Sequence, residues 1–251
     1  MIKNCIMYQI DEKYRNSISV QNEPISKVTL EDCLEKSDSL HKRRISSLIK
    51  LAKNEEIALS DKIGDAIVFN ANCEFKARKL IASGTSPFVS TSHKVWLREK
   101  FGTIISFDAG KKLAAVGNIM ISIALFGTPT AINSLKIKKE NFHSFVDWLL
   151  KSNRGEINRI NLRDLEYGGT KFKQIILSGS QLHNSDLFHE LFGSANLIKD
   201  IGFKSPELRS SKRVISCRIT NWGGIVFYTP NMFDVEINEM ITNFETYLLK
   251  I

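Results

Sequence analysis

Two segments of the chain, FVDWLLK at residues 145–151 and FETYLLK at residues 244–250, share one pattern at an offset of 99 positions. Each begins with Phe, has a second aromatic residue three positions later and ends in Leu-Leu-Lys. This spacing favours one apolar face of a helix. A pattern that returns at a fixed interval indicates a duplicated architecture. The elements that precede the two helices are therefore expected to correspond as well.

The predicted elements in both halves follow the order strand, helix, three strands, helix. In the first half they are a strand at 66–72, a helix at 74–82, strands at 103–107, 119–126 and 131–137, and a helix at 139–150. In the second half they are a strand at 172–177, a helix at 185–191, strands at 197–203, 214–220 and 225–228, and a helix at 237–249. Residues 221–224 (NWGG) are typical of a hairpin turn between the last two strands.

The N-terminal part of the chain differs from the rest in charge. Residues 1–61 contain ten Lys/Arg and ten Asp/Glu, so residues 62–251 carry the whole net charge of +8. A strand is predicted at 2–10 and a helix at 29–53, with Thr29 as its N-cap. A basic body favours a polyanionic partner, because Lys and Arg near phosphates release counterions. The alternative is an intracellular protein that is simply basic.

The cysteines and the hydropathy of the chain indicate the cellular compartment in which the protein works. Cys5, Cys33, Cys73 and Cys217 are scattered without metal-ligand spacing, which favours reduced thiols over a disulfide framework or a zinc site. The apolar run at 119–126 is too short to span a bilayer, and no secretory signal pattern opens the chain. We expect an intracellular protein without a membrane anchor or a cofactor, in the nucleus or in a cytoplasmic viral factory or virion.

A direct duplication of this order, about 90 residues per unit and with a basic excess, resembles the core of the TATA-binding protein (TBP) family. It is most similar to the divergent TBP-like proteins of large DNA viruses. The resemblance implies an α+β saddle: two pseudo-repeats, 62–155 and 156–251, form a curved antiparallel sheet with helices on its convex face, after an N-terminal extension at 1–61. It also implies a transcription initiation factor that binds and bends promoter DNA through the minor groove. The partners implied are double-stranded DNA, a TFIIB-like factor and RNA polymerase subunits.

The family inserts four apolar side chains, two per repeat, between base steps at the ends of the bent site. Residues 99–105 (EKFGTII) are similar to the first such segment, and residues 190–192 (ELF) to the third. The resemblance thus assigns the wedge role to Phe101, Phe126, Phe192 and Ile219. Ile stands where the family has Phe at the fourth position, and the Gly-Lys hairpins of the family are altered, which questions a preference for TATA sequences.

The resemblance also nominates polar contacts. Asn72 and Gln174 lie near the family's central amides, whose donors suit the acceptors that A·T pairs present in the minor groove. Candidate phosphate contacts share a basic side chain near a predicted strand or turn: Lys111, Lys112, Lys136, Lys138, Lys173, Lys212, Arg213 and Arg218.

Two other classes of function remain open from the sequence. Asp65, Glu74 and Lys76 loosely match the Asp…Glu-x-Lys signature of Mg²⁺-dependent nucleases. If the intervening residues form one strand, Asp65 and Glu74 are about 30 Å apart and cannot share a metal, whereas a hairpin at 70–72 would bring them together. The third class is a TBP-like module that binds only proteins. No phosphate-binding loop, hydrolase or zinc-protease motif is present, so an enzyme is not expected.

Overall fold

The computed structural model describes residues 3–15, 28–29, 34–35, 39, 42, 52–76, 88–108, 111–151 and 155–249. The protein is α+β, and its strands pair mostly antiparallel. The chain divides into two compact units. The N-terminal unit comprises residues 6–134, and the C-terminal unit comprises residues 135–251 together with residues 1–5.

The N-terminal unit packs one long helix against its strands. Its elements are β1 (Lys3–Ile10, from Ile6 onward), α1 (Glu12–Arg15), β2 (Val28–Thr29), β3 (Ala52–Ile63), β4 (Ala66–Lys76), β5 (Phe88–Arg98), β6 (Thr103–Phe107), α2 (Lys111–Phe126) and β7 (Ile132–Ser134). The strand order is β2-β3-β4-β5-β6-β1, and β7 pairs with β1. Ile119 and Ile123 of α2 share a buried cluster with Phe69, Val95 and Ile104 of the strands.

The prediction of a strand at 119–126 is wrong, because these residues belong to helix α2. An apolar run rich in β-branched residues is compatible with either a buried strand or a buried helix, and here it forms the second half of a helix of 16 residues. The one hydroxyl in its second half is satisfied, because Ser122 Oγ donates to the carbonyl oxygen of Thr128 and accepts from the backbone N–H of Ala131. These bonds hold the turn at 127–130 against the helix.

The C-terminal unit packs its helices against one sheet. Its elements are α3 (Lys139–Lys151), β8 (Glu156–Tyr167), β9 (Thr170–Ser178), a 3-10 turn (Leu182–Asn184), α4 (Asp186–Ser194), β10 (Leu197–Lys204), β11 (Ser216–Thr220), β12 (Gly224–Phe227) and α5 (Asp234–Leu248). The strand order is β12-β11-β10-β8-β9, and β1 neighbours β12. Lys3 of β1 joins this unit through an ion pair with Asp234.

The two helices that share the repeated pattern pack against each other. The rings of Phe145 and Phe244 lie 5.8 Å apart, and those of Trp148 and Tyr247 stack at 4.7 Å. Phe203 of β10 contacts both Phe residues. Corresponding residues of α3 and α5 therefore meet in pairs over the sheet, and both predicted helices are confirmed.

Other predicted elements are confirmed, corrected or outside the described residues. The strand at 2–10 and the second-half elements are confirmed within a few residues, but β8 was missed. In the first half, a helix replaces the strand at 119–126, so the predicted order is found only in the second half. Residues 52–61, assigned to the extension, form part of β3 and pair with β4.

Two predicted helices are only partly tested. Glu74–Lys76 end strand β4 rather than begin a helix, and residues 77–87 lie outside the described residues. In the predicted helix at 29–53, four residues (Leu34, Glu35, Ser39 and Lys42) are helical, Thr29 ends β2, and Ala52 and Lys53 begin β3. Helix α3, predicted to close the first repeat, belongs to the C-terminal unit. In the described parts of the chain, no helix is long and apolar enough to cross a membrane.

Candidate nucleic-acid interface

The sheet of the C-terminal unit has a helix-covered face and an opposite face, which we call the open face. Cross-strand pairing places four buried residues in one row on the covered face: Ile160, Ile201, Ile219 and Ile225. Neighbouring residues on a strand point to opposite sides of a sheet. The adjacent row on the open face is therefore Arg159, Gly202, Arg218 and Val226.

A buried carboxylate organises the open face. Asp200 Oδ1 accepts from Arg159 Nε at 3.3 Å and from Arg218 Nε at 3.0 Å. Its Oδ2 accepts from Arg218 Nη2 at 2.9 Å and from Asn161 Nδ2 at 2.8 Å. The Asp200 side chain is 1% exposed, whereas those of Arg159 and Arg218 are 33% and 31% exposed. One carboxylate thus fixes two guanidinium groups whose outer edges face solvent, and the hydrogen bond to Asp200 raises the pKa of Arg218.

The same network reaches one of the predicted amides. Asn161 uses its Nδ2 for Asp200 and accepts from Gln174 Nε2 at 3.0 Å through its Oδ1. Gln174 lies on β9, paired with Arg163 of β8, and is exposed. An amide nitrogen carries two N–H donors, so Gln174 keeps a second donor and its carbonyl oxygen for a ligand.

The open face carries an excess of positive charge. Its cations are Arg159, Arg163, Arg218 and Lys204, and its carboxylates are Asp200 and Glu156. Lys204 Nζ lies 3.0 Å from Glu156 Oε2, and this hydrogen bond lowers the pKa of Glu156. The Nε of Arg163 is buried and has no hydrogen-bond partner within the described part of the chain. Four cations against two carboxylates leave an excess of two positive charges on this face.

Exposed apolar side chains lie near these charges. Phe172 and Ile176 of β9 are 36% and 47% exposed, and Tyr228, which follows β12, is 44% exposed. Phe172, Gln174 and Ile176 are every second residue of β9, so their side chains point to the open face. Tyr228 lies two residues after Val226 and, by the same alternation, points to this face as well. Antiparallel sheets commonly keep one polar, hydrated face, and three large apolar groups on such a face indicate a contact surface.

Three of the four wedge predictions are wrong. Phe101 and Phe192 are only 5% and 6% exposed, and Ile219 is fully buried on the covered face. Phe192 stacks on Phe188 at 5.2 Å, while Phe101 lies under the guanidinium of Arg98. A side chain that fills a core cannot enter a base step without unfolding its surroundings.

Phe126 does not match the expected geometry either. It is the last residue of helix α2 instead of the end of a strand. Its ring is half-buried and packs on Tyr14 at 5.4 Å. A wedge between base steps must be free of such packing, so this assignment also lacks support.

The other predicted amide lies in the other unit. Asn72 is exposed on β4, opposite Glu56 of β3 and Ser92 of β5. Its strand lies inside the sheet of the N-terminal unit, whereas β9, which carries Gln174, is the last strand of its sheet.

The predicted phosphate contacts fall into four groups. Arg218 belongs to the Asp200 network, while Arg213 is bound to Glu236 through Nη1 at 3.1 Å and to the carbonyl oxygen of Pro230 at 3.2 Å, which makes it a structural residue. Lys111 and Lys112 lie in the first turn of α2 and not in a strand-connecting turn. Lys136, Lys138, Lys173 and Lys212 are exposed, but by strand alternation Lys173 points away from the open face.

The metal site that the nuclease alternative needs is contradicted by the strand that carries its second carboxylate. Strand β4 runs without a break from Ala66 to Lys76, so no hairpin interrupts residues 70–72. Asp65 and Glu74 are then about 30 Å apart. Asp65 is instead 2.6 Å from the buried guanidinium of Arg98.

A groove of about 1010 Å³ lies on the helix side of the C-terminal unit. The stacked pair Trp148 and Tyr247 forms one part of its lining, and the loop at 205–212 forms another. Glu239 holds this loop, because its carboxylate accepts hydrogen bonds from the backbone N–H groups of Arg209 at 2.7 Å and Ser210 at 3.0 Å.

Sequence reasoning missed Arg159, Asn161, Arg163 and Asp200, which complete the network around Arg218 and Gln174. The signal was present in β8, whose polar residues at 159, 161 and 163 alternate with apolar residues at 160 and 162. That period of two is the pattern of a strand with one covered face. Asp200 carried no such signal, because a single acidic residue in a strand is usually read as exposed.

No protein-family model matches the chain, and no curated protein matches it.

Proposed function

We propose that the protein binds double-stranded DNA through the open face of its C-terminal unit. The observation that carries this proposal is the pair of partly exposed guanidinium groups of Arg159 and Arg218, both fixed by the buried Asp200. Fixed arginines lose less conformational freedom on binding than flexible lysines do, and their planar groups suit phosphate oxygens.

The chemistry of the face supports a phosphate-bearing ligand. Arg159 uses only its Nε for Asp200, so its two NH₂ groups can donate to a phosphate, as can the guanidinium of Arg163. Neutralising phosphates releases counterions and makes the affinity depend on salt. The net charge of +8 adds long-range attraction for any polyanion.

Gln174 supplies a group that can read a base edge. Its anchored amide keeps one donor and one acceptor, which can meet the acceptors of an A·T pair or the exocyclic amine of guanine in the minor groove. We therefore propose phosphate contacts by the arginines and a base contact by Gln174. Insertion of wedges is not part of the proposal, because the nominated side chains are packed in cores.

The finer proposal, a TBP-like promoter-recognition factor, is supported by two features. The helices with the repeated pattern pack through corresponding residues, as expected for duplicated elements. The groove beside Trp148 and Tyr247 gives the helix side a concave surface, to which a TFIIB-like factor or an RNA polymerase subunit would bind.

Fluorescence anisotropy with a labelled duplex at several salt concentrations tests the proposal. We expect Arg163→Ala and Arg159→Gln each to weaken binding by about tenfold and to reduce the magnitude of the salt slope by about one unit. Gln174→Ala should weaken binding with an unchanged salt slope. Circular dichroism and thermal unfolding verify that each variant is folded.

The matched control is Lys151→Ala, which removes an exposed cation from the end of α3, a helix on the covered face of the sheet. It should bind like the wild type. Equal losses for Lys151→Ala and Arg163→Ala would mean that DNA attraction comes from the net charge alone, and the open face would lose its role. Preference for single-stranded DNA or RNA over the duplex would also contradict the proposal.

A further inference from the structure

Strand β9 is the last strand of its sheet among the described strands. It pairs with β8 on one side, and within the residues that the structure describes no strand pairs with its other side. The strand is nine residues long, and every residue from Thr170 to Gln174 is exposed. An unpaired strand of this length offers a row of backbone donors and acceptors to another strand.

The side chains of this edge are unusually apolar for an exposed strand. Phe172 and Ile176 are exposed, and Ile175 and Leu177 are half-buried. Tyr167, just before the hairpin turn at Gly168, is exposed as well. Edge strands that avoid association are short, bulged or heavily charged, whereas this one has two lysines and four large apolar residues.

The sequence of β9 is complementary to itself in one antiparallel register. When Gln174 lies opposite Gln174 of a second copy, Phe172 faces Ile176 of that copy on the open face, and Ile176 faces its Phe172. On the other face Lys171 and Lys173 lie opposite Leu177 and Ile175. Aromatic and β-branched pairs are among the most favourable cross-strand neighbours.

Charge selects this register over its neighbour. A pairing centred on Phe172 would place Lys171 opposite Lys173 of the second copy, twice in each dimer. Like charges directly opposite each other are destabilising. Only the pairing centred on Gln174 keeps the lysines apart while it joins both exposed apolar residues.

We propose that two copies of the protein associate by antiparallel pairing of β9 with β9, about a two-fold axis through Gln174. The sheets of the two C-terminal units then form one continuous sheet. A contact made by a single strand pair is smaller than a standard protein interface, so the dimer is expected to be concentration-dependent. The inference goes beyond DNA binding and does not depend on it.

Sedimentation velocity over a range of protein concentrations, without nucleic acid, measures the association. We expect a monomer–dimer equilibrium for the wild type. Ile176→Lys, which replaces both Phe–Ile pairs with Phe–Lys pairs, should weaken dimerisation at least tenfold. The control is Leu187→Lys, which makes the same kind of change at a residue of α4 that is 43% exposed and should leave dimerisation unchanged.

A cross-linking test reports the register itself. Residues directly opposite in an antiparallel pair have Cβ atoms about 5 Å apart, so Gln174→Cys should be captured as a covalent dimer by a short bifunctional maleimide. Leu187→Cys and the wild type, which retains its own cysteines, provide the background. A wild-type monomer at all concentrations, or cross-linking of Gln174→Cys no stronger than that of Leu187→Cys, would overturn the proposal.

Discussion

Asp200 is the residue that holds the polar side chains of the open face in place. A buried carboxylate is tolerated only when it is paired and fully hydrogen-bonded. Asp200 meets this condition with four bonds, two to each oxygen. Its removal would leave Arg159 and Arg218 close together with no counter-charge between them.

We therefore expect Asp200→Ala to lower the free energy of unfolding by about 3 kcal/mol, the lower end of the range for breaking a buried ion pair, because both arginines are partly exposed. Urea denaturation followed by circular dichroism measures the change. Asp147→Ala, at an exposed position of α3, should stay within about 0.5 kcal/mol of the wild type. Equal stabilities of the two variants would remove the structural role given to Asp200.

The carboxyl group of Glu239 should make the stability of the protein depend on pH. Burial alone would raise its pKa, but the hydrogen bonds from the backbone N–H groups of Arg209 and Ser210 outweigh it, so its pKa is lowered from the ordinary value of 4.5. A carboxyl with a lowered pKa in the folded state stabilises the protein above the unfolded value and loses this contribution as the pH falls through the folded value.

Urea midpoints at pH 7 and pH 3.5 measure the effect of Glu239. We expect Glu239→Gln to be less stable than the wild type at pH 7, with the difference shrinking at pH 3.5. A difference that is the same at both pH values would show that the charge of Glu239 does not hold the loop at 205–212.

At the scale of elements, β10 depends on a residue without a side chain. Gly202 pairs with both Arg159 and Arg218, and a Cβ at this position would lie 2.9 Å from Asn158 Oδ1 and 3.0 Å from Arg159 Cβ. Real Cβ contacts are longer than this, so a larger residue must displace the neighbouring strand. Gly202 therefore permits β8 to pack closely against β10 at Asn158 and Arg159.

We expect Gly202→Ala to destabilise the protein by about 1–3 kcal/mol through overpacking. The control is Gly193→Ala in helix α4, where a Cβ would meet nothing within 4 Å. That change should be neutral or stabilise by up to about 1 kcal/mol, because Gly is unfavourable in a helix. Thermal unfolding of both variants measures the pair, and a stabilising Gly202→Ala would contradict the packing described for β10.

Elements with a clear period were predictable from the sequence, and those with ambiguous composition were not. Helix α3 and strand β9 were predicted within two residues, because their apolar residues recur at the spacing of a helix and a strand. Helix α2 was predicted as a strand, since its apolar residues surround the whole element and leave no period to read. In the candidate site, Arg218 and Gln174 were found, whereas Asp200 depends on pairing between distant strands, which a local pattern does not encode.

At the scale of the whole molecule, one strand contributes to both units. Residues up to Cys5 of β1 belong to the C-terminal unit, where Lys3 Nζ donates to the carbonyl oxygen of Met232 and pairs with Asp234. The rest of β1 belongs to the N-terminal unit. The C-terminal unit is therefore assembled from both ends of the described chain.

We expect removal of residues 1–5 to expose strand β12, which has β1 as a neighbour. Hydrogen exchange with mass spectrometry should show faster exchange at residues 224–227, whereas residues 156–162 of β8, inside the sheet, should keep their protection. Unchanged exchange in β12 would mean that the first residues of β1 do not protect this unit.

This arrangement also orders the events of biosynthesis. The contact between Lys3 and Met232 joins residues that are 229 positions apart. During translation, Lys3 leaves the ribosome long before Met232 has been made, so the C-terminal unit cannot close until α5 has emerged. Distant contacts of this kind slow folding, because the intervening chain must be ordered before they form. The first residues of β1 therefore wait for β12 and α5 during the synthesis of most of the chain, whereas the rest of β1 can pair with β7 as soon as residues 132–134 have emerged.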